Sequence, residues 1–227
     1  MSSAKGNGSV HSILDYVRMH PERIFRVMGN GLGYDDCIYQ MLQIIVDNAI
    51  DEFKCGHGNR VELTVDFASG KMSVRDDGYG APVSKLDECF GLHAVGGMYT
   101  ADAANAASML ISCAKIVNGL SSHFRVRSVR DGEYGEVEFA EGKLVSNETG
   151  TSGPDEKSGT LVEWIPDGTI LPKYTVVENH VIRRIRNCAA ANPGMAFFFN
   201  GVRLMRSNRK AMQSNMARAI FDLLREI

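Results

Sequence analysis

Three groups of polar residues in this chain have types and spacings that could do chemistry. The first is Asp47-Asn48-Ala49-Ile50-Asp51-Glu52, in which Asn48, Asp51 and Glu52 fall within about one helical turn and gather side-chain oxygens in one region. Oxygen donors of this kind suit Mg²⁺, which takes few protein ligands alongside phosphate and water. A solvated polar stripe is the plain alternative. The second is Asp76-Asp77-Gly78-Tyr79-Gly80-Ala81-Pro82. A carboxylate held at a strand end can accept a hydrogen bond from an exocyclic amine such as that of adenine. Glycines beside it let a flat ring come close to the backbone, although Asp-Gly is also a common turn dipeptide. The third is Gly159-Thr160, where a hydroxyl could support that carboxylate.

These groups need elements to hold them. Apolar residues at Ile38, Met41, Leu42, Ile45, Ala49 and Phe53 recur at helical spacing, so a helix over 35–54 carries the first group, and Cys55-Gly56 closes it. Val61–Phe67 and Lys71–Arg75 alternate around the Ala68-Ser-Gly70 turn, which predicts a hairpin ending at the second group. Residues 13–19 are amphipathic and Pro21 opens a further turn; 84–100 read as a short helix ending at Gly96-Gly97, and 101–118 as an Ala-rich helix stopped by Gly119. Strands are expected at 124–129, 135–139, 143–145 and 160–165, with a polar loop over 146–158. A helix over 178–191, a hairpin around Asn200-Gly201 and a helix over 212–227 complete the chain. The sum is an α+β two-layer sandwich, helices on one face of a mixed, mostly antiparallel sheet. Residues 1–10 read as a flexible tail and 11–227 as a single domain.

Composition narrows the class. The chain has 227 residues, 44% hydrophobic and 23% charged, which suits an ordinary globular domain able to build a core without staples. No apolar run nears the ~20 residues that span a bilayer. The first ten residues do not read as a secretory signal. Five dispersed cysteines fit reduced thiols better than disulfides or a zinc site, so the expected location is the cytoplasm and no membrane partner is expected. From Arg183 onward nine basic residues face two acidic ones, against a chain net charge of −2. Such an end reads either as a solvated helix face or as a surface for an acidic partner. The six histidines lack ligand spacing, and Trp164 reads as a core or rim residue.

Taken in order, the motifs resemble the N-terminal nucleotide-binding domain of the B subunits of DNA gyrase and topoisomerase IV, within the GHKL (Bergerat) ATPase superfamily. The resemblance runs through Ile13–Ile24, Val46–Glu52, Val74–Pro82, Leu92–Gly97, Val117–Ser121, Arg130–Gly132, Gly159–Val162 and Arg183–Arg186. It implies ATP or another adenine nucleotide as ligand, with Mg²⁺ held by Asn48. Asp76 would read the adenine amine with Thr160 alongside, Gly80 and Pro82 would line the adenine pocket, and Arg130 would stand at its mouth. A gyrase-A-like protein, or DNA met through the basic C-terminal segment, would be the macromolecular partner, and a homodimer is possible but unsupported by the short tail.

Departures from the pattern bear on activity. The general-base glutamate of the family stands one turn before the asparagine, where this chain has Ile44, which cannot accept a proton. Neighbouring Gln43 points about 100° away and is no base. The family's glycine-rich phosphate lid has no counterpart, since no glycine occurs between Met98 and Asn118. Tyr79 replaces the arginine that pairs with the helix glutamate, which leaves Glu52 without that partner. No catalytic residue is therefore assigned. The expectation is an adenine-nucleotide-binding module of type IIA topoisomerase kind with an eroded phosphate site and little or no ATP hydrolysis. The alternatives are an active topoisomerase ATPase domain and a nucleotide-independent interaction module.

Overall fold

A computed structural model describes residues 13–92 and 106–205. The expected tail (1–10) and the helix over 212–227 lie outside the described residues, and the helix expected over 84–100 is shorter than that, ending at Phe90 with Gly91 in extended backbone.

The predicted long helix forms as α2, Cys37–Lys54 (α1 being Ile13–Met19), and its apolar stripe is the reason: Ile38, Met41, Leu42, Ile45 and Ala49 are all buried. Its N-cap residue, Asp36, does not cap it with its side chain. The Asp36 carboxylate instead accepts the N–H groups of Gly31 (2.7 Å) and Gly33 (2.9 Å), folding the preceding glycine-rich loop around itself. The other end closes with Cys55 N–H donating to the Asp51 carbonyl at 2.9 Å.

Eight strands form one sheet. They are β1 (Arg60–Val65), β2 (Met72–Asp76), β3 (Ser121–Arg130), β4 (Glu133–Ala140), β5 (Lys143–Thr151), β6 (Gly159–Pro166), β7 (Ala196–Phe199) and β8 (Val202–Arg203), in spatial order β5-β4-β3-β6-β2-β1-β7-β8. Of the paired neighbours, β1 and β7 run parallel and the rest antiparallel. Between β2 and β3 lie a short helix α3 (Leu86–Phe90), entered by a 3-10 turn at Val83–Lys85, and α4 (Ala106–Gly119); α5 (Glu178–Ala191) precedes β7.

The period-two alternation of the strands decides which face is covered. Leu63, Val74, Phe124, Val126, Val137, Phe139, Val162, Trp164 and Phe197 point inward and join the buried residues of α2, α4 and α5 in one core. Trp164 is fully buried, which settles its role as core rather than rim. On the opposite face Arg125 bridges Glu136 of β4 (2.7 Å) and Glu163 of β6 (2.5 Å), and Arg127 pairs with Glu136 (3.1 Å) and Glu156 (2.7 Å). A charged, self-paired surface of this kind is content with water and asks for no second helical layer.

A strand boundary is corrected as well. Residues 146–151 belong to β5, not to a polar loop, and the loop begins only after Thr151. Strand β5 is the edge of the sheet and largely exposed, so its side chains carry no apolar alternation; its hydrogen bonds to β4, from Lys143↔Ala140 to Thr151↔Glu133, are what make it a strand.

Candidate functional site

The last turns of α2 and the end of β2 meet at a cavity of about 220 Å³. Helix α2 contributes Asn48, Asp51 and Glu52, with Cys55 just beyond its end. Strand β2 contributes Asp76, the following turn Tyr79, Gly80 and Pro82, the end of β3 Arg130, and the start of β6 Thr160. The structure thus brings together all six residues singled out from the sequence: Asn48, Asp76, Gly80, Pro82, Arg130 and Thr160. The remaining walls are mainly apolar, with Ile45, Val74, Ala81, Phe90 and Val162. A slot with apolar sides and few polar groups suits a flat, largely apolar ring.

Asp76 is the polar group at the β2 end. Its Oδ1 accepts the backbone N–H of Gly78 at 2.9 Å and of Thr160 at 3.1 Å. Both of its hydrogen bonds from described residues fall on Oδ1, so Oδ2 keeps its accepting capacity. Thr160 supports the carboxylate through its amide rather than through the hydroxyl. Burial pushes the Asp76 carboxyl up to about 6; the two amide donors oppose this, while the negative charges of Glu52 and Asp77 add to it.

Contact with protein explains the glycines. Gly80 sits at φ +90°, and a Cβ there would lie 2.4 Å from the Val129 carbonyl oxygen. A Cβ on Gly78 would lie 2.9 Å from both Asp76 Oδ1 and the Glu52 Cβ. Close approach of β3 and α2 to this turn thus demands glycine before any ligand is considered. Ser128 Oγ, donating to the Ala81 carbonyl at 2.8 Å, fastens the same turn to β3.

The mouth is an aromatic and ionic cluster. The Arg130 guanidinium lies 4.0 Å over the Tyr79 ring, and its Nε is 3.4 Å from Asp131 Oδ2. The Tyr79 hydroxyl donates to Asp131 Oδ2 at 3.2 Å. Glu52 is not left without a partner: its Oε2 accepts the Tyr79 backbone N–H at 3.1 Å and lies 3.4 Å from His57 Nδ1. The His57 and Tyr79 rings are 5.2 Å apart. The tyrosine at this position therefore meets the glutamate through its main chain and the arginine through its ring.

Asn48 Oδ1 is buried and has no hydrogen-bond partner among the described residues. A buried amide oxygen left unpaired is costly and is the kind of donor that a hard cation such as Mg²⁺ accepts. Ile44, one turn earlier, is half-buried and packed against the core. Gln43 faces a different cavity, of about 520 Å³ between α2 and α5, where it lies with Asp47 and Arg184. There its Nε2 donates to Asp47 Oδ1 at 2.7 Å. Neither Gln43 nor Asp47 lines the cavity that holds Asp76. Among the described residues no group of three or more His, Cys, Asp or Glu side chains forms a metal-binding cluster.

Cys55 and His57 line the cavity although the motifs do not single them out. Helical spacing carries the signal for Cys55, three residues beyond Glu52 on the same face. His57 reaches the site through the turn after α2, which no periodicity describes.

Residues 33–162 match the family described as histidine kinase-, DNA gyrase B-, and HSP90-like ATPase. Over 190 residues the chain is 35% identical to the B subunit of DNA topoisomerase 4 of Borreliella burgdorferi, an alignment covering 83% of this chain and 31% of that protein. It is 31% identical to the B subunit of DNA gyrase of Mycoplasmoides gallisepticum over 176 residues, which cover 73% of this chain and 27% of the relative. The chain thus spans about a third or less of these relatives' lengths. Its structure resembles the crystal structure of the 43K ATPase domain of Thermus thermophilus gyrase B in complex with an aminocoumarin, with a TM-score of 0.63 and 25% identity. That match covers 83% of this chain and 49% of the other. No described helix is long and apolar enough to cross a membrane.

Proposed function

Because the chain belongs to the family of histidine kinase-, DNA gyrase B- and HSP90-like ATPases, we propose that the cavity at the β2 end binds an adenine nucleotide and that this chain hydrolyses it slowly or not at all. The observation that carries the binding half is Asp76: a carboxylate at the β2 end of an apolar slot, saturated on one oxygen by main-chain N–H groups and able to accept on the other. An exocyclic amine on a flat ring is the complement of that arrangement. Pro82, Ala81 and Val162 would lie along the ring, and Arg130 would stand where the ligand leaves the slot.

Mg²⁺, when bound, would neutralise phosphate charge, and Asn48 Oδ1 is the oxygen of this chain best suited to hold it. The slow-turnover half rests on Ile44. A side chain packed against the core, with no proton-accepting group, stands where an activating carboxylate would be needed, and loss of a general base costs on the order of 10²–10⁴ in rate. The stretch without glycine from Met98 to Asn118 points the same way, since amide nests for phosphate rely on glycine conformations.

The test is thermal unfolding with Mg²⁺ and a non-hydrolysable ATP analogue, paired with a phosphate-release assay. Saturation at 100 times Kd adds about 2.7 kcal/mol of stability, or roughly 5–11 °C for a domain of this size. A shift of that order, abolished in Asp76→Ala and unaccompanied by phosphate release, is the expected result. Release that disappears in Asn48→Ala would instead make the chain an active ATPase. In the wider assembly, a gyrase-A-like protein or DNA would meet the basic C-terminal segment. The exposed Arg186 of α5 is available for this, whereas Arg183 stacks on the Tyr34 ring at 4.4 Å and Arg184 is tied to the Tyr34 carbonyl at 2.7 Å. DNA affinity that falls steeply with salt would support that contact.

A further inference from the structure

The described walls of the cavity carry three carboxylates, Asp51, Glu52 and Asp76, against one guanidinium, Arg130. The guanidinium is already engaged, stacked on Tyr79 at 4.0 Å and 3.4 Å from Asp131. Asp51 has a partial counter-charge in Lys54, 3.0 Å away, but that ammonium is mostly exposed and lies on the side of α2 that lines the other cavity. Glu52 is held by a neutral main-chain N–H and by the His57 ring. The connection from α3 to α4 supplies no compensating cation either, because no Lys or Arg occurs between Lys85 and Lys115.

From this inventory we infer that, without a divalent cation, the cavity selects an uncharged adenine nucleoside over adenine polyphosphates, with Asp51 and Glu52 as the specificity-determining residues. The inference rests on the adenine reading above. Asp76 is matched by the ring's amine whatever the ligand's tail carries. The other two carboxylates line the same cavity one turn after Asn48 on α2, so a 5′-phosphate chain running along that turn would meet their repulsion in a partly desolvated setting, more with each added charge.

The test uses the full chain in EDTA at low ionic strength and about pH 8, with titration calorimetry of adenosine, AMP and ATP. Adenosine is expected to bind about tenfold or more tighter than ATP, with AMP between them, the size expected of two partly screened like charges. Raising salt from about 20 to about 500 mM should narrow the ratio, because repulsion across the mouth is screened. Asp51→Asn should narrow it at low salt by lowering the ATP Kd relative to the adenosine Kd. ATP binding as tightly as adenosine, or a ratio indifferent to both salt and Asp51→Asn, would overturn the inference while leaving the adenine site standing. Failure of adenosine itself to bind at millimolar concentration would remove the adenine reading and this inference with it.

Discussion

Asp76→Asn separates the structural work of this side chain from its charge. The amide keeps an oxygen in place for the N–H groups of Gly78 and Thr160, now at 2.9 and 3.1 Å, and removes the ionisable group. In the folded chain the carboxyl titrates at about 6, against 3.8 for the ordinary value. Its folded-state affinity for the proton is therefore raised, so between about pH 4 and 6 the folded chain binds a proton that the unfolded chain has released. Stability from this group consequently falls as pH rises through that window and stays low above it. A shift of roughly two units is worth about 3 kcal/mol. Since Asp76 faces a cavity open to water, about half of that, near 1.5 kcal/mol, is the expected effect. The asparagine variant should then unfold about 3–6 °C higher than the parent at pH 8 and at nearly the same temperature only below about pH 3.5. Circular-dichroism melts of both proteins over a pH series, without ligand, provide the comparison. Parallel pH profiles, or an asparagine variant less stable at pH 8, would refute the claim that the fold holds this carboxylate at a cost. The same variant should lose adenosine affinity, because an amide N–H₂ would face the ring's own amine.

The titration also predicts how ligand affinity depends on pH. Below about pH 6 the protonated Asp76 turns from acceptor to donor, so affinity for an adenine ligand should drop up to about tenfold per pH unit, read by fluorescence or calorimetric titration. Gly80→Ala should cost more than about 2 kcal/mol in urea unfolding, because its φ of +90° and a Cβ 2.4 Å from the Val129 oxygen leave no relaxed position for the methyl group. Asp36→Ala should cost about 2–4 kcal/mol, since it strips the N–H groups of Gly31 and Gly33 of their acceptor at the entrance to α2. Equal stability of either variant and the parent in urea would contradict those local accounts.

Much of the fold is legible because its elements are amphipathic. The helix α2 and the hairpin of β1 and β2 announce themselves by period, and the helix expected over 178–191 is found at Glu178–Ala191. The outer half of β5 escapes sequence reading because an edge strand with Ser, Asn, Glu and Thr on both faces owes its conformation to backbone pairing, which no side-chain pattern records. At the site, residue types and spacing are enough to bring six positions to one cavity, but not to tell which atoms do the holding. Thr160 acts through its amide, and Gly80 is required by the carbonyl of a strand distant in sequence. Glu52, expected to lose its partner to the tyrosine at position 79, is met by that residue's own main chain. Main-chain donors are common to all residues except proline, so sequence reading cannot see such substitutions of one contact by another.

The order of the strands has consequences for how the chain folds. Strands β3, β4 and β5 follow one another through tight turns at Asp131-Gly132 and Glu141-Gly142, so their pairing closes only short loops. The β1–β7 pairing, by contrast, joins Arg60–Leu63 to Ala196–Phe199 and must wait for most of the chain to be in place. Closing long loops costs entropy before any contact repays it, which favours an early β3–β5 meander and a late β1–β7 junction. The cavity lies between the meander and the β1–β2 hairpin, with Arg130 at the end of β3 and Asp76 at the end of β2, and β6 joins the two by pairing with both strands. A ligand held by both sides would brace that long-range junction between two locally formed pieces, and would register chiefly as slower unfolding.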